Sequence, residues 1–551
     1  MIEKLILKFG SSQSQTNLEV DVKPITIFVG PNNSGKSQVL RDIVTFCQGG
    51  IIHGNIIGNI LVAAISDIEY EIKKITLRPN DGENINEGAS VIFGKRGIRH
   101  NWNREALGNI LTNPHHNFAQ FCELFLKFNI IPLEGANRLQ MINPEGIGDL
   151  KQPINKLQVL FTDEDKRKKV RRIVFDAFNM YFTLDPTSNG QISIRLADTE
   201  PYTLERSLTD EALEYHRNNL PIESTSDGVK AFIGLIISII ADDPKIITLD
   251  EPEAFLHPSL SSKLGKEIGN ILNVDSSKRL FVATHSANFL MGCIQSGVPI
   301  NIVRLTYSNK APTARLLASE KIFKLIKHPL LRSVGTLNGL FYEYVIVTES
   351  DADRAFYQEI NERLLQFSPE RGIPNCLFLN AQNKQTIHEI VKPLREMGIP
   401  CVGIVDIDVV KEGGAVWANF TNSGFIPEVT RQETETARSR IKAKFDEKAI
   451  DFKRNGGTNV LEAADREACN NLFNRLEEYG IFVVRNGELE SWLKPLGATG
   501  HSPKWLIEIF ERMGEDSNSP DYVKPTNDDV WEFIGRIKTW FTNPNRNGIP
   551  N

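Results

Sequence analysis

No two cysteines in this chain stand close enough to form a Cys-x-x-Cys pair. The six cysteines, at 47, 122, 293, 376, 401 and 469, are scattered along 551 residues. That spacing excludes a structural zinc module and a disulfide framework, and it fits a reducing cytoplasm. Long apolar runs are missing too: the longest, Ala231 to Ala241, falls well short of the roughly 20 residues of a membrane span. The opening Met1-Ile2-Glu3-Lys4 lacks the basic-then-apolar layout of a secretion signal. A cytoplasmic protein with no membrane partner is expected. A net charge of −6 excludes a globally basic, DNA-coating protein, though not a local basic patch. Without a heptad run between Lys36 and Asp250 there is no long coiled-coil arm, and without an internal repeat there is no solenoid.

What is present is an ordinary globular composition, 41% hydrophobic and 24% charged over a length that calls for two or three domains. Residues Gly30-Pro31-Asn32-Asn33-Ser34-Gly35-Lys36-Ser37 form a complete phosphate-binding loop. The apolar run Ile25 to Val29 enters it as a strand, and the residues from Lys36 onward leave it as a helix. Glycines let backbone N–H groups close around phosphate oxygens, Lys36 reaches the β/γ-phosphates, and the Ser37 hydroxyl ligates Mg²⁺. The helix N-terminus adds its positive end. ATP binding is expected.

A second β-run, Lys245 to Leu249, ends in Asp250-Glu251. Ligands collect at the carboxyl ends of buried parallel strands, so Asp250 is placed to hold Mg²⁺ and Glu251 to polarise the attacking water. Ser226-Asp227-Gly228 precedes the apolar helix that leads into this strand, and Thr284-His285-Ser286 ends another strand. Taken alone, Ser226-Asp227 reads equally as a helix cap and His285 as a strand-end histidine. The order of parts resembles the ABC-type ATPases, in particular the soluble branch with RecF and SMC heads. By that resemblance Ser226 and Gly228 act as the signature that caps the γ-phosphate from the opposite protomer, and His285 acts as the switch. A homodimer or higher homo-oligomer follows. Gln140 is a weak candidate for the glutamine loop, and His257 reads as a turn residue.

The ATPase parts are used up near residue 320. Beyond them, strands at 344–347, 376–379 and 400–405 alternate with helices at 354–365 and 386–397, the pattern of a small parallel α/β domain. Glu349 follows the first strand, with Asp353 four residues on, and Asp406-Ile407-Asp408 ends a later one. Carboxylates converging at a sheet's carboxyl edge make an oxygen-rich site for Mg²⁺ or Mn²⁺. Ser350 with Asp353 also reads as a capping box. This pattern resembles the TOPRIM fold, with Ser350 where that family usually has glycine. An ABC-type ATPase followed by TOPRIM resembles the OLD-family (overcoming lysogenization defect) nucleases, a group that includes the nuclease subunit of the Gabija anti-phage system. The resemblance implies a metal-dependent DNA endonuclease with a further glutamate, Glu490 or Glu488, and a lysine, Lys504 or Lys524. It implies DNA as partner and a second defence protein encoded nearby. The competing reading is an ATP-gated DNA-binding or scaffolding protein with an inactive TOPRIM domain.

The expected organisation is an ATPase domain over 1–330 with an insertion at about 51–220. A TOPRIM domain over 341–510 follows, with a helical insertion at about 411–480, and then a helical tail over 511–551. Within the first insertion Lys166 to Arg172 is a basic patch on a helix capped by Thr162 or Asp163, read as a solvated face with phosphate contact as the alternative.

Overall fold

The structure, a computed structural model, describes all residues except 12–16, 51, 53, 66, 80–88, 96–97, 202–203, 276, 309–310, 318–319, 321, 324–326, 330–334, 449, 502 and 551. The chain divides into two compact units, Met1–Ser319 and Glu320–Asn551. The expected end of the ATPase domain at 330 falls among residues outside the described set.

In the first unit a six-stranded sheet runs in the order Ala311–Leu317, Ile300–Ser308, Ile25–Val29, Arg279–Ala283, Ile246–Asp250, Ile130–Leu133. Every neighbouring pair is parallel except the outer hairpin of the first two strands. Ile25–Val29 is buried at every position, as a strand covered on both faces must be. Parallel pairing brings the loops after Val29, Asp250 and Ala283 to one edge, which is why three motifs far apart in sequence can share a site. A three-stranded antiparallel sheet, Leu18–Asp21, Ile2–Leu7, Ile57–Val62, packs its apolar face into the core with the P-loop helix Lys36–Gly49.

The segment expected as an insertion at 51–220 is more deeply built in than that. Ile57–Val62 completes the antiparallel sheet and Ile130–Leu133 is the edge strand of the central sheet. Pro132 hides the second of these from a pattern reader, because proline lacks the N–H that an interior strand needs and is tolerated only at an edge. Asp163, not Thr162, caps the helix Glu164–Phe178.

The second unit holds a four-stranded parallel sheet in the order Cys376–Asn380, Tyr344–Thr348, Cys401–Asp406, Ile481–Val484. The expected helices appear as Asp351–Phe367 and Ile387–Glu396. The 411–480 segment is helical as expected, with helices Gly414–Ser423, Glu428–Glu447 and Ala463–Glu477. The C-terminal stretch is no appendage. Helix Asp529–Thr542 buries Val530, Trp531, Phe533, Ile534, Ile537 and Phe541 in the same core as Tyr344, Phe482 and Trp492. Fully buried Arg395 fastens the end of the chain, donating to the carbonyls of Cys401 (2.8 Å), Tyr479 (2.7 Å), Gly480 (3.0 Å) and Gly548 (3.1 Å).

Candidate functional site

The phosphate-binding loop is shaped by backbone that only small or left-handed residues accept. Gly30 has φ 143°, and a Cβ there would lie 2.0 Å from the Leu305 carbonyl oxygen. Lys36 opens the helix from a buried position, and its Nζ donates to the carbonyls of Pro31 (2.7 Å) and Gly30 (3.0 Å). Burial pushes the Lys36 ammonium down to about 8, against the pull of Glu251 and Asp250. The Ser37 hydroxyl donates to Asp250 Oδ1 at 3.0 Å, so the two halves expected of a nucleotide–Mg²⁺ site meet.

Glu251 sits just beyond the strand with φ 48°. A left-handed backbone costs a non-glycine residue about 1–2 kcal/mol, so something must hold it. Arg138, fully buried, does so: it donates to the carbonyls of Asp250 (2.6 Å), Glu251 (2.7 Å) and Ala254 (3.4 Å). Sequence reasoning missed Arg138, and its neighbour Gln140 is exposed on the same 3-10 segment, Gly135–Ile142. Glu253 was missed as well. Its carboxylate accepts from the Thr284 hydroxyl and the His285 backbone N–H, both at 2.7 Å, tying the loop of His285 to that of Glu251. Burial, then the nearby Lys36 ammonium, lowers the His285 pKa. His257 caps helix Pro258–Asn273 by accepting from the Ser259 N–H, a turn role as expected.

Ser226 takes the N-cap position of helix Asp227–Asp242 without a side-chain capping bond, and it is exposed. Gly228 lies against the chain after Glu251: a Cβ there would come within 2.8 Å of the Phe255 carbonyl oxygen. The basic patch divides. Arg167 and Arg171 turn inward onto buried Glu205, both at 2.8 Å, and Lys168 pairs with Glu164 and Arg172 with Glu267. Only part of it is the solvated face that was anticipated.

In the second unit Glu349, Asp406 and Asp408 each offer an oxygen, and the three oxygens lie within 4.8 Å of one another. Their placement follows from the sheet. Glu349 follows strand Tyr344–Thr348, and Asp406 ends its neighbour Cys401–Asp406. The Asp406 N–H donates to Glu349 Oε1 at 2.9 Å. Asp408 lies in a 3-10 turn, Ile407–Lys411, and that turn brings it back to Asp406. Burial first, then Asp408 and Asp353, pushes the Glu349 carboxyl up to about 7. Burial and Glu349 push Asp406 well above the carboxylate range. Such shifts mark carboxylates that are buried and, in second place, crowded by one another.

Other expected acids stand further out. Asp353 accepts from the Ser350 N–H (3.0 Å) and hydroxyl (2.5 Å), while its own N–H donates back to Ser350, so the capping box is real. Glu490 contacts His501. Glu488, nearly buried, faces Lys453 at 3.7 Å. Lys504 opens helix Lys504–Met513 in an exposed position, its backbone N–H on the His501 carbonyl. Lys524 lies over the Phe367 ring, 5.4 Å from its centroid. Two unanticipated lysines reach the acids instead. Lys453 lies 2.9 Å from Asp406 Oδ2 and 3.6 Å from Asp408 Oδ2, and Lys384 lies 2.8 Å from Asp408 Oδ2 and 3.2 Å from Glu412. Neither belongs to a motif, so spacing carried no signal for them.

The residues fit a hard divalent cation. Asp408 Oδ1 is buried with no hydrogen-bond partner among the described residues, and it joins an all-oxygen donor set of the kind Mg²⁺ and Mn²⁺ take.

Comparison with known proteins adds to this geometry. Residues 148–291 match the family described as AAA domain, putative AbiEii toxin, Type IV TA system. Residues 340–408, which include Glu349, Asp353, Asp406 and Asp408, match the overcoming lysogenization defect protein-like TOPRIM domain. The Old nuclease of Escherichia phage P2 is 31% identical over 126 residues. That match spans 21% of this chain and only 20% of the length of the phage protein. Among solved structures, an SMC head bound to the C-terminal winged-helix domain of ScpA has a TM-score of 0.35 at 15% identity, covering 59% of this chain and 99% of that one. The cbiO1 ATPase of Clostridium perfringens, part of an ABC transporter complex, has a TM-score of 0.30 at 14% identity, covering 61% and 94%. The fold class is as expected in outline: a P-loop ATPase domain of AAA type with mixed α/β sheets, followed by a TOPRIM domain. No helix among the described residues is long and apolar enough to cross a membrane.

Proposed function

We propose that this chain, an ATPase domain followed by an OLD-like TOPRIM domain and so an OLD-family ATPase–TOPRIM protein, is an ATP-hydrolysing, metal-dependent DNA endonuclease that acts in defence against phage. The observation that carries the nuclease reading is the convergence of Glu349, Asp406 and Asp408 around the unpartnered Asp408 Oδ1. When bound, divalent ions supply an activated water and stabilise the leaving 3′ oxygen. Glu349, Asp406 and Asp408 are the ligands in this reading. Glu490 or Asp353 completes a second ion site, with Glu488 the alternative to Glu490, and Lys504 neutralises charge on the scissile phosphate.

In the ATPase, Gly30, Asn32, Asn33, Ser34, Gly35 and Lys36 cradle the phosphates, Ser37 and Asp250 hold Mg²⁺, and Glu251 orients the attacking water. The exposed Ser226 hydroxyl, unused as a cap, supports a signature role across a protomer boundary together with Gly228, and hence a homodimer or larger assembly. His285 senses the γ-phosphate. DNA is the substrate in this reading, and a second defence protein is a further partner.

One observation favours the competing scaffold reading. Lys453 and Lys384 already place two positive charges on the acids, as an inactive site would. A supercoiled-plasmid assay with Mg²⁺ or Mn²⁺, with and without ATP, separates the two. Nicking that depends on metal supports the nuclease, and intact plasmid under every condition supports the scaffold.

A further inference from the structure

We propose that Lys453 is a built-in counter-ion of the acid cluster, an ammonium seated where a divalent cation must bind, so that metal binds by displacing it. The proposal rests on the metal reading of the site and goes beyond it, from what the acids hold to what holds them in the metal-free protein.

Three carboxylates from two separated segments converge on one nitrogen: Asp406 Oδ2 at 2.9 Å, Asp408 Oδ2 at 3.6 Å and Glu488 Oε2 at 3.7 Å. A dication takes its oxygens at roughly 2.0–2.6 Å. It therefore competes for the same lone pairs, and an ammonium left in contact with it meets unscreened repulsion. Without any cation the three clustered carboxylates face one another in a buried setting and repel. A resident lysine relieves that repulsion.

The backbone that delivers Lys453 is fixed, main chain against main chain. A Cβ on Gly487 would lie 2.0 Å from the Lys453 carbonyl oxygen, and one on Gly457 would lie 2.0 Å from that of Arg485. The Thr458 N–H donates to Arg485 O at 2.9 Å, and the Ile407 N–H donates to Gly487 O at 3.0 Å. Phe452, next in line, is buried and stacks on Phe445 with centroids 3.9 Å apart. The loop of Lys453 is thus locked to the turn of Asp406–Asp408 and to the loop of Glu488. The side chain is not locked: it keeps 26% of its surface exposed, and a four-carbon stem lets the ammonium swing outward while the loop stays put. Lys384 differs. Its partners are Asp408 Oδ2 at 2.8 Å and Glu412 at 3.2 Å.

The test is titration of the full chain, free of nucleotide, with Mn²⁺, reading bound metal directly. Asp406→Asn/Asp408→Asn serves as the background for sites elsewhere. Lys453→Gln should bind Mn²⁺ about tenfold more tightly than the wild type, whereas Lys453→Arg, which keeps the charge, should not gain affinity. Metal-free Lys453→Gln should also melt below the wild type, and saturating Mn²⁺ should close that gap. Lys453→Met, which keeps the stem without the charge, repeats the measurement should the glutamine variant fold poorly. Equal or weaker Mn²⁺ binding in both neutral variants, with the wild type binding above background, overturns the counter-ion proposal and leaves the metal site standing. Absence of Mn²⁺ binding above background in the wild type and in both neutral variants overturns the metal site itself.

Discussion

Asp250 and Asp406 each end a buried parallel strand and have a second acid within two residues, but they acquire positive charge in different ways. At Asp250 the cation belongs to a contiguous motif. Lys36 stands one residue before Ser37, which bonds Asp250, and its ammonium is held back on the carbonyls of Gly30 and Pro31. At Asp406 the cation comes from a distant helical segment, and it sits directly on the acid. The lysine of one site is held off the acids on backbone carbonyls, whereas at the other site lysines lie directly on the acids.

If the two sites are chemically separate, the largest effects should cross cleanly. Asp406→Ala, Asp408→Ala or Glu349→Ala should lower metal-dependent cleavage by about a thousandfold or more, because two-metal chemistry fails once either ion is lost, and ATP hydrolysis should be unchanged. Lys36→Ala should abolish ATP binding, measured with a fluorescent analogue, while Mn²⁺ binding at the acid cluster remains. Glu251→Gln should still bind ATP but hydrolyse it about a hundredfold more slowly. Normal turnover in that variant breaks the assignment of the attacking-water residue.

Smaller effects sharpen the comparison. Arg138→Gln removes the guanidinium that fixes the carbonyls of Asp250, Glu251 and Ala254. We expect a kcat for ATP about tenfold lower with a nearly unchanged KM, since the residue positions Glu251 and touches no substrate. Lys504→Ala should slow cleavage by about tenfold and leave Mn²⁺ affinity unaltered, because a lysine placed for the phosphate has no part in binding the ion. Arg395→Ala strands buried carbonyls at the end of the second unit, and a loss of about 3 kcal/mol in that unit's stability is expected from chemical denaturation.

The sequence was most legible where chemistry is written in consecutive residues. The loop at 30–37, the Asp-Glu strand and the four parallel strands of the second unit are runs whose apolar content and punctuation declare both element and edge. It was least legible where function comes from tertiary approach. Arg138 acts on backbone carbonyls, which any sequence offers, so nothing in its surroundings marks it. Lys453 reaches the acids from a turn within a segment that reads only as charged helix, and Lys384 reaches them from the short turn before helix Ile387–Glu396. Pro132 disguised a strand because its edge position, the condition that allows proline, exists only in the assembled sheet. The tail looked detachable because an amphipathic helix does not say which face of which sheet it covers, and here it is Tyr344 and Phe482.

The most direct test of the central claim, two separable active sites in one chain, is a plasmid-cleavage assay with Mn²⁺ run beside an ATPase assay on the same preparations. The account predicts that the Asp406→Ala/Asp408→Ala protein leaves plasmid intact while hydrolysing ATP at the wild-type rate. Undiminished cleavage by that double variant would contradict it.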